Sequence, residues 1–197
     1  LGKGYCYQIT PGVTAFFKDP MNLFAGAGAL GMCFDDYNAD NFDHSSLNFL
    51  HGGVISCTQT GARPIAGNAV PPGTPSWGPE FKKASLYNFN RAVGVSAQGG
   101  PLAPRGNYLS LDDAYKDAYG LPLLRVTYNF TDQDRALCDF ITQRIHDVVT
   151  AMKPETMSAK PNGKDYTIVP YQTTHNTGGT ITGKSPEDSV VNSYLQH

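Results

Sequence analysis

Charged residues are scarce. Asp, Glu, Lys and Arg make up 16% of the 197 residues, and the formal net charge is −2. No Lys/Arg cluster is present, which removes the basic footprint of a nucleic-acid binder and the pull toward an anionic membrane surface. Long apolar runs are also missing; the stretch around Leu30 to Phe34 is far short of a membrane span. The four cysteines, Cys6, Cys33, Cys57 and Cys138, stand far apart with no CxxC pair. That spacing argues against an iron–sulfur or structural zinc site, and no metal is expected. The cysteines read as buried thiols, with disulfides left open. No secretory signal is visible: the chain starts at Leu1 in a strand-like segment, and both ends read as cut from something longer.

What is present suits a folded domain. Hydrophobic residues at 40% and aromatics at 11% are enough for a core and argue against disorder. Length alone suggests one domain over residues 1–197. Gly 21 and Pro 14 together imply long, shaped loops.

The first sixty residues read as β-rich. Gly4 to Ile9 and Val13 to Phe17 are short aromatic and β-branched runs split by Thr10, Pro11 and Gly12. A glycine-rich bend at Ala25 to Ala29 leads into a strand at Leu30 to Phe34, and Val54 to Thr58 resumes the pattern. Between them, Asp35 to Ser46 has no period and reads as a loop. Gly61 to Pro79 holds five prolines and four glycines and is expected to be a long surface excursion. A helix is expected over Pro79 to Val93, with Phe81, Leu86, Phe89 and Val93 near one face. A strand is expected at Leu123 to Phe130. Thr131 is a natural N-cap for a second helix, in which Leu137, Phe140, Ile141, Ile145, Val148, Val149 and Met152 recur at helical spacing until Pro154. Tyr166 to Gln172 reads as a strand, and Ser185 as the N-cap of a last helix entered through Pro186, Glu187 and Asp188. Strands and helices without βαβ alternation predict an α+β fold with a mostly antiparallel sheet flanked by helices.

Chemistry concentrates in Tyr171 to Gly183, YQTTHNTGGTITG. A histidine leaves a strand end and is followed by Asn176, Thr177, Gly178 and Gly179. Two glycines let backbone approach a flat ligand, and an imidazole titrating near neutral pH can take a proton from a hydroxyl. The same pattern also suits an ordinary histidine beside a Gly-Gly turn. The loop at 35–46 sets Asp36, Asn38, Asn41, Asp43 and His44 among Tyr37 and Phe42. That composition suits polyol recognition and a solvated loop alike. His146 reads as a surface residue, His51 as a turn or substrate contact, and Trp77 as a lid or subunit contact. Asp112 and Asp113 are adjacent on a strand and point to opposite faces, so they form no catalytic pair. Gly26, Gly28 and Gly31 give a literal GxGxxG without a following helix; they read as a glycine-rich strand approach, not a nucleotide fingerprint.

Four segments together resemble the glucose–methanol–choline (GMC) oxidoreductase family. They are the His-x-x-Gly-Gly loop (His175, Gly178, Gly179), SPEDSVVNSY from Ser185 to Tyr194, the Arg105 to Thr127 segment, and GKGYCYQ from Gly2 to Gln8. The last resembles the subgroup of gluconate, ketogluconate, fructose and glucose dehydrogenase flavoproteins. The resemblance implies the substrate-binding domain of an FAD-dependent enzyme that oxidises a sugar, sugar-acid or polyol hydroxyl. It implies His175 as the proton acceptor and Asn176, Gly178 and Gly179 against the flavin, and the polar composition of the 35–46 loop makes Asn38, Asn41 and His44 the candidate substrate contacts. It further implies a periplasmic flavoprotein, membrane-associated through a small subunit and a cytochrome c subunit. The flavin-binding half and a second catalytic His or Asn are expected outside residues 1–197, so the isolated chain is expected to be colourless and inactive. The alternatives are a soluble alcohol or sugar oxidase of the same family and a non-catalytic carbohydrate-binding module.

Overall fold

The structure is a computed structural model that describes residues 1–21, 30–58, 69–159, 165–167 and 175–197. The bend at 25–29 with Gly26 and Gly28, part of the 61–79 excursion, residues 168–172 of the expected strand, and Tyr171 to Thr174 lie outside the described residues. In chain order the strands are β1 Cys6–Tyr7, β2 Gly12–Phe16, β3 Leu30–Phe34, β4 Gly53–Thr58, β5 Ala92–Gly99, β6 Tyr108–Lys116, β7 Pro122–Thr127, β8 Thr156–Ala159 and β9 Asn176–Thr177. The helices are α1 Gly78–Asn88 and α2 Asp132–Ala151. The fold is α+β, and all the strand pairs are antiparallel.

The chain divides into two compact units, residues 9–100 with 136–162, and residues 1–8 with 101–135 and 163–197. The first of these is built on a five-stranded sheet in the order β3-β4-β5-β2-β8. One face of it is apolar because side chains alternate along each strand. Val13 and Ala15, Ile55, and Val93, Val95 and Ala97 are buried together with Ile141, Ile145 and Val149 of α2. Along α2, Leu137, Ile141, Ile145 and Val149 recur every four residues and are fully buried. Each contributes roughly 1.5–3 kcal/mol by leaving water.

The cap of α2 is reciprocal. The Thr131 N–H donates to Asp134 Oδ2 at 2.8 Å, and the Asp134 N–H donates to Thr131 Oγ1 at 3.1 Å. Asp134 is itself buried and also accepts the Thr131 hydroxyl at 2.8 Å. Thr131→Ala should cost about 1–2 kcal/mol, as a lost cap does. The check is a lower thermal midpoint than that of Thr131→Ser, which keeps the hydroxyl.

Four expectations are corrected, the last of them the strand at Tyr166. First, α1 ends at Asn88, and Ala92–Gly99 is a strand at the centre of the sheet. Arg91 closes the helix by donating to the carbonyls of Tyr87 and Lys18 at 2.9 and 3.1 Å. From there Ala92 pairs with Phe16. Val93 is therefore a strand core residue, while Leu86 and Phe89 are exposed and the buried α1 positions are Ser85 and Asn88. Second, no helix follows Ser185. Its hydroxyl does accept the Glu187 N–H at 3.2 Å, but the turn stops because Val190 N–H returns to Ile181 O at 2.8 Å and Val191 bridges Thr182. Third, all four cysteines are free thiols, but only Cys6 is buried and Cys33 is exposed. Partial burial pushes the half-buried Cys57 thiol above its usual range.

Tyr166 and Thr167 are not in a strand. Gly31 lies in antiparallel β3 beside a bulge, where a side chain would meet Cys57 O at 2.6 Å; strand packing accounts for this glycine. His146 is half-buried on α2, and Trp77 is 82% exposed immediately before α1. In the other unit, β6 and β7 form a hairpin whose Leu111, Tyr115, Tyr119 and Leu124 are exposed. Asp112 accepts the N–H groups of Ala114 and Tyr115, each at 2.9 Å, at the irregularity in β6. Its carboxylate is thereby spent on backbone, and these bonds hold its pKa below the usual value. No described helix is long and apolar enough to cross a membrane.

Candidate active site

His175 stands at the head of β9 with φ +63, in the left-handed region. Histidine is one of the few non-glycine residues enriched there. Such a conformation costs of order 1–3 kcal/mol and persists where its surroundings over-determine it. Here they do. β9 pairs with β1, Cys6 opposite Thr177 and Tyr7 opposite Asn176. The Tyr5 hydroxyl donates to Asn176 Oδ1 at 2.9 Å, and Cys6 Sγ lies 2.8 Å from Thr177 Oγ1. Gly179 N–H donates to Lys3 O at 3.0 Å, and Gly2 N–H donates back to Gly179 O at 2.6 Å. Gly178, at φ +76, runs so close to the first strand that a Cβ would sit 1.8 Å from Gly4 O. GKGYCY and HNTGG, two segments 171 residues apart, are thus one structural piece.

The clamp has an aromatic base. Tyr5 and Tyr128 meet edge-on at 5.7 Å, Tyr128 and Tyr166 at 4.7 Å, and Phe130 packs against both Tyr128 and Tyr166. Tyr5, Cys6 and Tyr7 are buried. The Tyr128 hydroxyl donates to Tyr7 O at 3.3 Å. Burial, with the nearby Asp134 carboxylate, pushes its ionisation well above the usual phenol range, so it stays a neutral donor. By contrast His175, Asn176, Thr177 and Gly178 are exposed. The result is a short exposed edge carrying an imidazole and a carboxamide on a rigid, buried foundation. That is the arrangement a base needs in order to meet a ligand in one orientation.

Asn38, Asn41 and His44 belong to the other unit. The start of their loop is pinned: Asn38 N–H donates to Asp35 O, and Gly53 N–H donates to Tyr37 O. Tyr37 and Phe42 pack on Phe140 of α2 at 5.7 and 5.6 Å. His44 is half-buried and lies against Phe42 and Phe49. The Asn41 carboxamide donates to Asp35 O at 2.8 Å, which commits it to the loop itself. Asp43 accepts the Ser45 N–H, which holds its carboxyl below its usual value. Asn38 is exposed, with its side chain uncommitted among the described residues. His51, at φ +73, is exposed and turns the chain into β4. No described group of three or more His, Cys, Asp or Glu is placed to hold a metal.

The sequence reading missed Tyr5 and Cys6 as parts of the site. They stood in the sequence only as part of GKGYCYQ, a segment of family resemblance, and nothing local tied it to residue 176. Residues 103–197, which carry His175 and its glycines, match the family model for GMC oxidoreductases. This part of the chain belongs to the GMC oxidoreductase family. The whole chain is 38% identical over 200 residues to the gluconate 2-dehydrogenase flavoprotein of Pantoea cypripedii, covering 32% of that protein. It is 26% identical over 191 residues to the fructose dehydrogenase large subunit of Gluconobacter japonicus, again covering 32% of it. A third relative is the 2-methyl-1,2-propanediol dehydrogenase of Mycolicibacterium austroafricanum, 29% identical over 120 residues and 21% of that protein. The chain therefore spans about a third of the length of the first two relatives. Their names are those of dehydrogenases; one is a flavoprotein and one a large subunit.

Proposed function

We propose that the chain supplies the substrate-side catalytic portion of an FAD-dependent dehydrogenase acting on a sugar, sugar-acid or polyol hydroxyl, of gluconate or ketogluconate type. The observation that carries this reading is the exposed His175, held in a left-handed turn by the β1–β9 clamp inside the region of family similarity. The exposed edge offers a flavin an imidazole and a carboxamide, while Gly178 turns the side that lacks a Cβ toward Gly4 and Gly179 is buried beneath it. Asn176, Gly178 and Gly179 would hold the flavin edge. The chemistry a bound flavin supplies is the two-electron acceptor for the hydrogen on the carbinol carbon. His175 takes the hydroxyl proton on its imidazole as that C–H bond breaks. Of the three loop candidates, Asn41 and His44 are engaged within their own loop, which leaves the Asn38 carboxamide the one with a side chain uncommitted among the described residues.

Partner small and cytochrome c subunits, and a periplasmic site of action, extend the same reading; the large-subunit name of one relative supports the first. The test is spectroscopic. Anaerobic addition of gluconate or 2-ketogluconate to the flavin-loaded protein should bleach its flavin absorbance, whereas the isolated 197-residue chain should be colourless and inactive. A carbohydrate-binding module would bind sugar with no flavin present, and turnover by the isolated chain would contradict the division of labour proposed here.

A further inference from the structure

We infer that Tyr5 is a positioning residue for the reaction. By donating to the Asn176 carboxamide, its hydroxyl fixes the turn that aims the His175 imidazole. This rests on His175 being the proton acceptor. His175 itself sits in a backbone conformation that needs outside support, at φ +63, and is exposed, so packing of its own ring does not supply that support. The neighbouring Asn176 is where support arrives. Its Oδ1 accepts the Tyr5 hydroxyl at 2.9 Å across 171 residues of chain. Its backbone lies opposite Tyr7 in the β1–β9 ladder. Tyr5 can serve as a fixed point because it is 7% exposed and its ring meets Tyr128 edge-on. Tyr128 is fixed in turn by its hydroxyl bond to Tyr7 O and its ring contact with Tyr166. The hydroxyl of Tyr5 is thus the end of an edge-on aromatic cluster, buried at Tyr5 and half-buried at Tyr128 and Tyr166, pointed at the one residue between His175 and the rest of the clamp. The neighbouring contact, Cys6 with Thr177, acts one residue further from the imidazole.

Removing that hydroxyl while keeping the ring should leave the fold and loosen the turn. In the flavin-loaded protein, Tyr5→Phe should keep its flavin-to-protein absorbance ratio and its KM for the sugar within about twofold. Its kcat should fall about ten- to a hundredfold, the scale on which small misplacement of a catalytic group acts. Hydrogen exchange of the backbone amides at 175–179 should rise about tenfold, while exchange in the β6–β7 hairpin of the same unit stays unchanged. Asn176→Ala, which removes the acceptor and with it a proposed flavin contact, should raise the same local exchange, and adding Tyr5→Phe to it should raise that exchange little further. A merely structural role would instead lower flavin content and raise exchange throughout the unit. Unchanged kcat and unchanged local exchange in Tyr5→Phe, with His175→Ala inactive, overturns the role of Tyr5 and leaves the base intact. Full activity of His175→Ala overturns both.

Discussion

His175→Ala in the flavin-loaded protein should lower kcat/KM by about 10²–10³-fold, the usual worth of a positioned general base, with flavin content unchanged. The reasoning is local. The imidazole is exposed, so its removal opens no cavity, and the β1–β9 ladder and the Gly178–Gly4 approach do not depend on it. Alanine in a left-handed turn adds some backbone strain, so His175→Asn, which tolerates that conformation, is the better control for folding. Both variants should lose activity, and His175→Asn should keep a thermal midpoint closer to that of the parent. Rapid-reaction traces give the decisive reading: the rate of flavin bleaching by substrate should fall by the same factor as kcat/KM. Bleaching within threefold of the parent in His175→Asn would falsify the assignment of the base.

The second large effect is on stability. Gly178→Ala places a Cβ 1.8 Å from Gly4 O, 2.6 Å from Gly4 C and 3.1 Å from the Cα of Tyr5. None of these atoms is the far end of a flexible side chain, so the first strand has to move away. That movement sacrifices the bonds that link Gly179 with Lys3 and Gly2, and it weakens the Tyr5–Asn176 contact. With roughly 1–2 kcal/mol for a non-glycine residue at φ +76 and about 1 kcal/mol for each backbone bond lost, the cost is about 3–4 kcal/mol. Gly179→Ala separates the two contributions. Its φ of +73 carries the same conformational cost, but the nearest atoms to its Cβ are at 3.9 Å. Gly179→Ala should therefore lose only the first 1–2 kcal/mol. Thermal unfolding of the pair should rank Gly178→Ala well below Gly179→Ala; equal midpoints would mean that the close approach carries no energy.

The sequence by itself determined those features that depend on neighbours a few residues apart. Thr131 and Asp134 cap a helix locally, and the four-residue recurrence of Leu137, Ile141, Ile145 and Val149 marks its buried face, so α2 was legible almost to the residue. The strands at 30–34 and 53–58 were legible from their composition and the turns around them. His175 was legible as a candidate because a histidine before two glycines is a local pattern. The alternation of Val93, Val95 and Ala97 was also on the page, yet the helical pattern before it read through to Val93. Tertiary structure decided that boundary, because pairing with Phe16 and Val13 across the sheet outweighs one more turn of α1. It likewise stopped the helix after Ser185, where the chain is drawn back to Ile181 and Thr182. Above all it decided what holds His175. No local rule links Gly4, Tyr5 and Cys6 to Asn176, Thr177 and Gly178. The backbone approach, the phenol hydroxyl bond and the two-residue ladder exist only once the chain ends are folded together, and they turn a histidine beside two glycines into a fixed one.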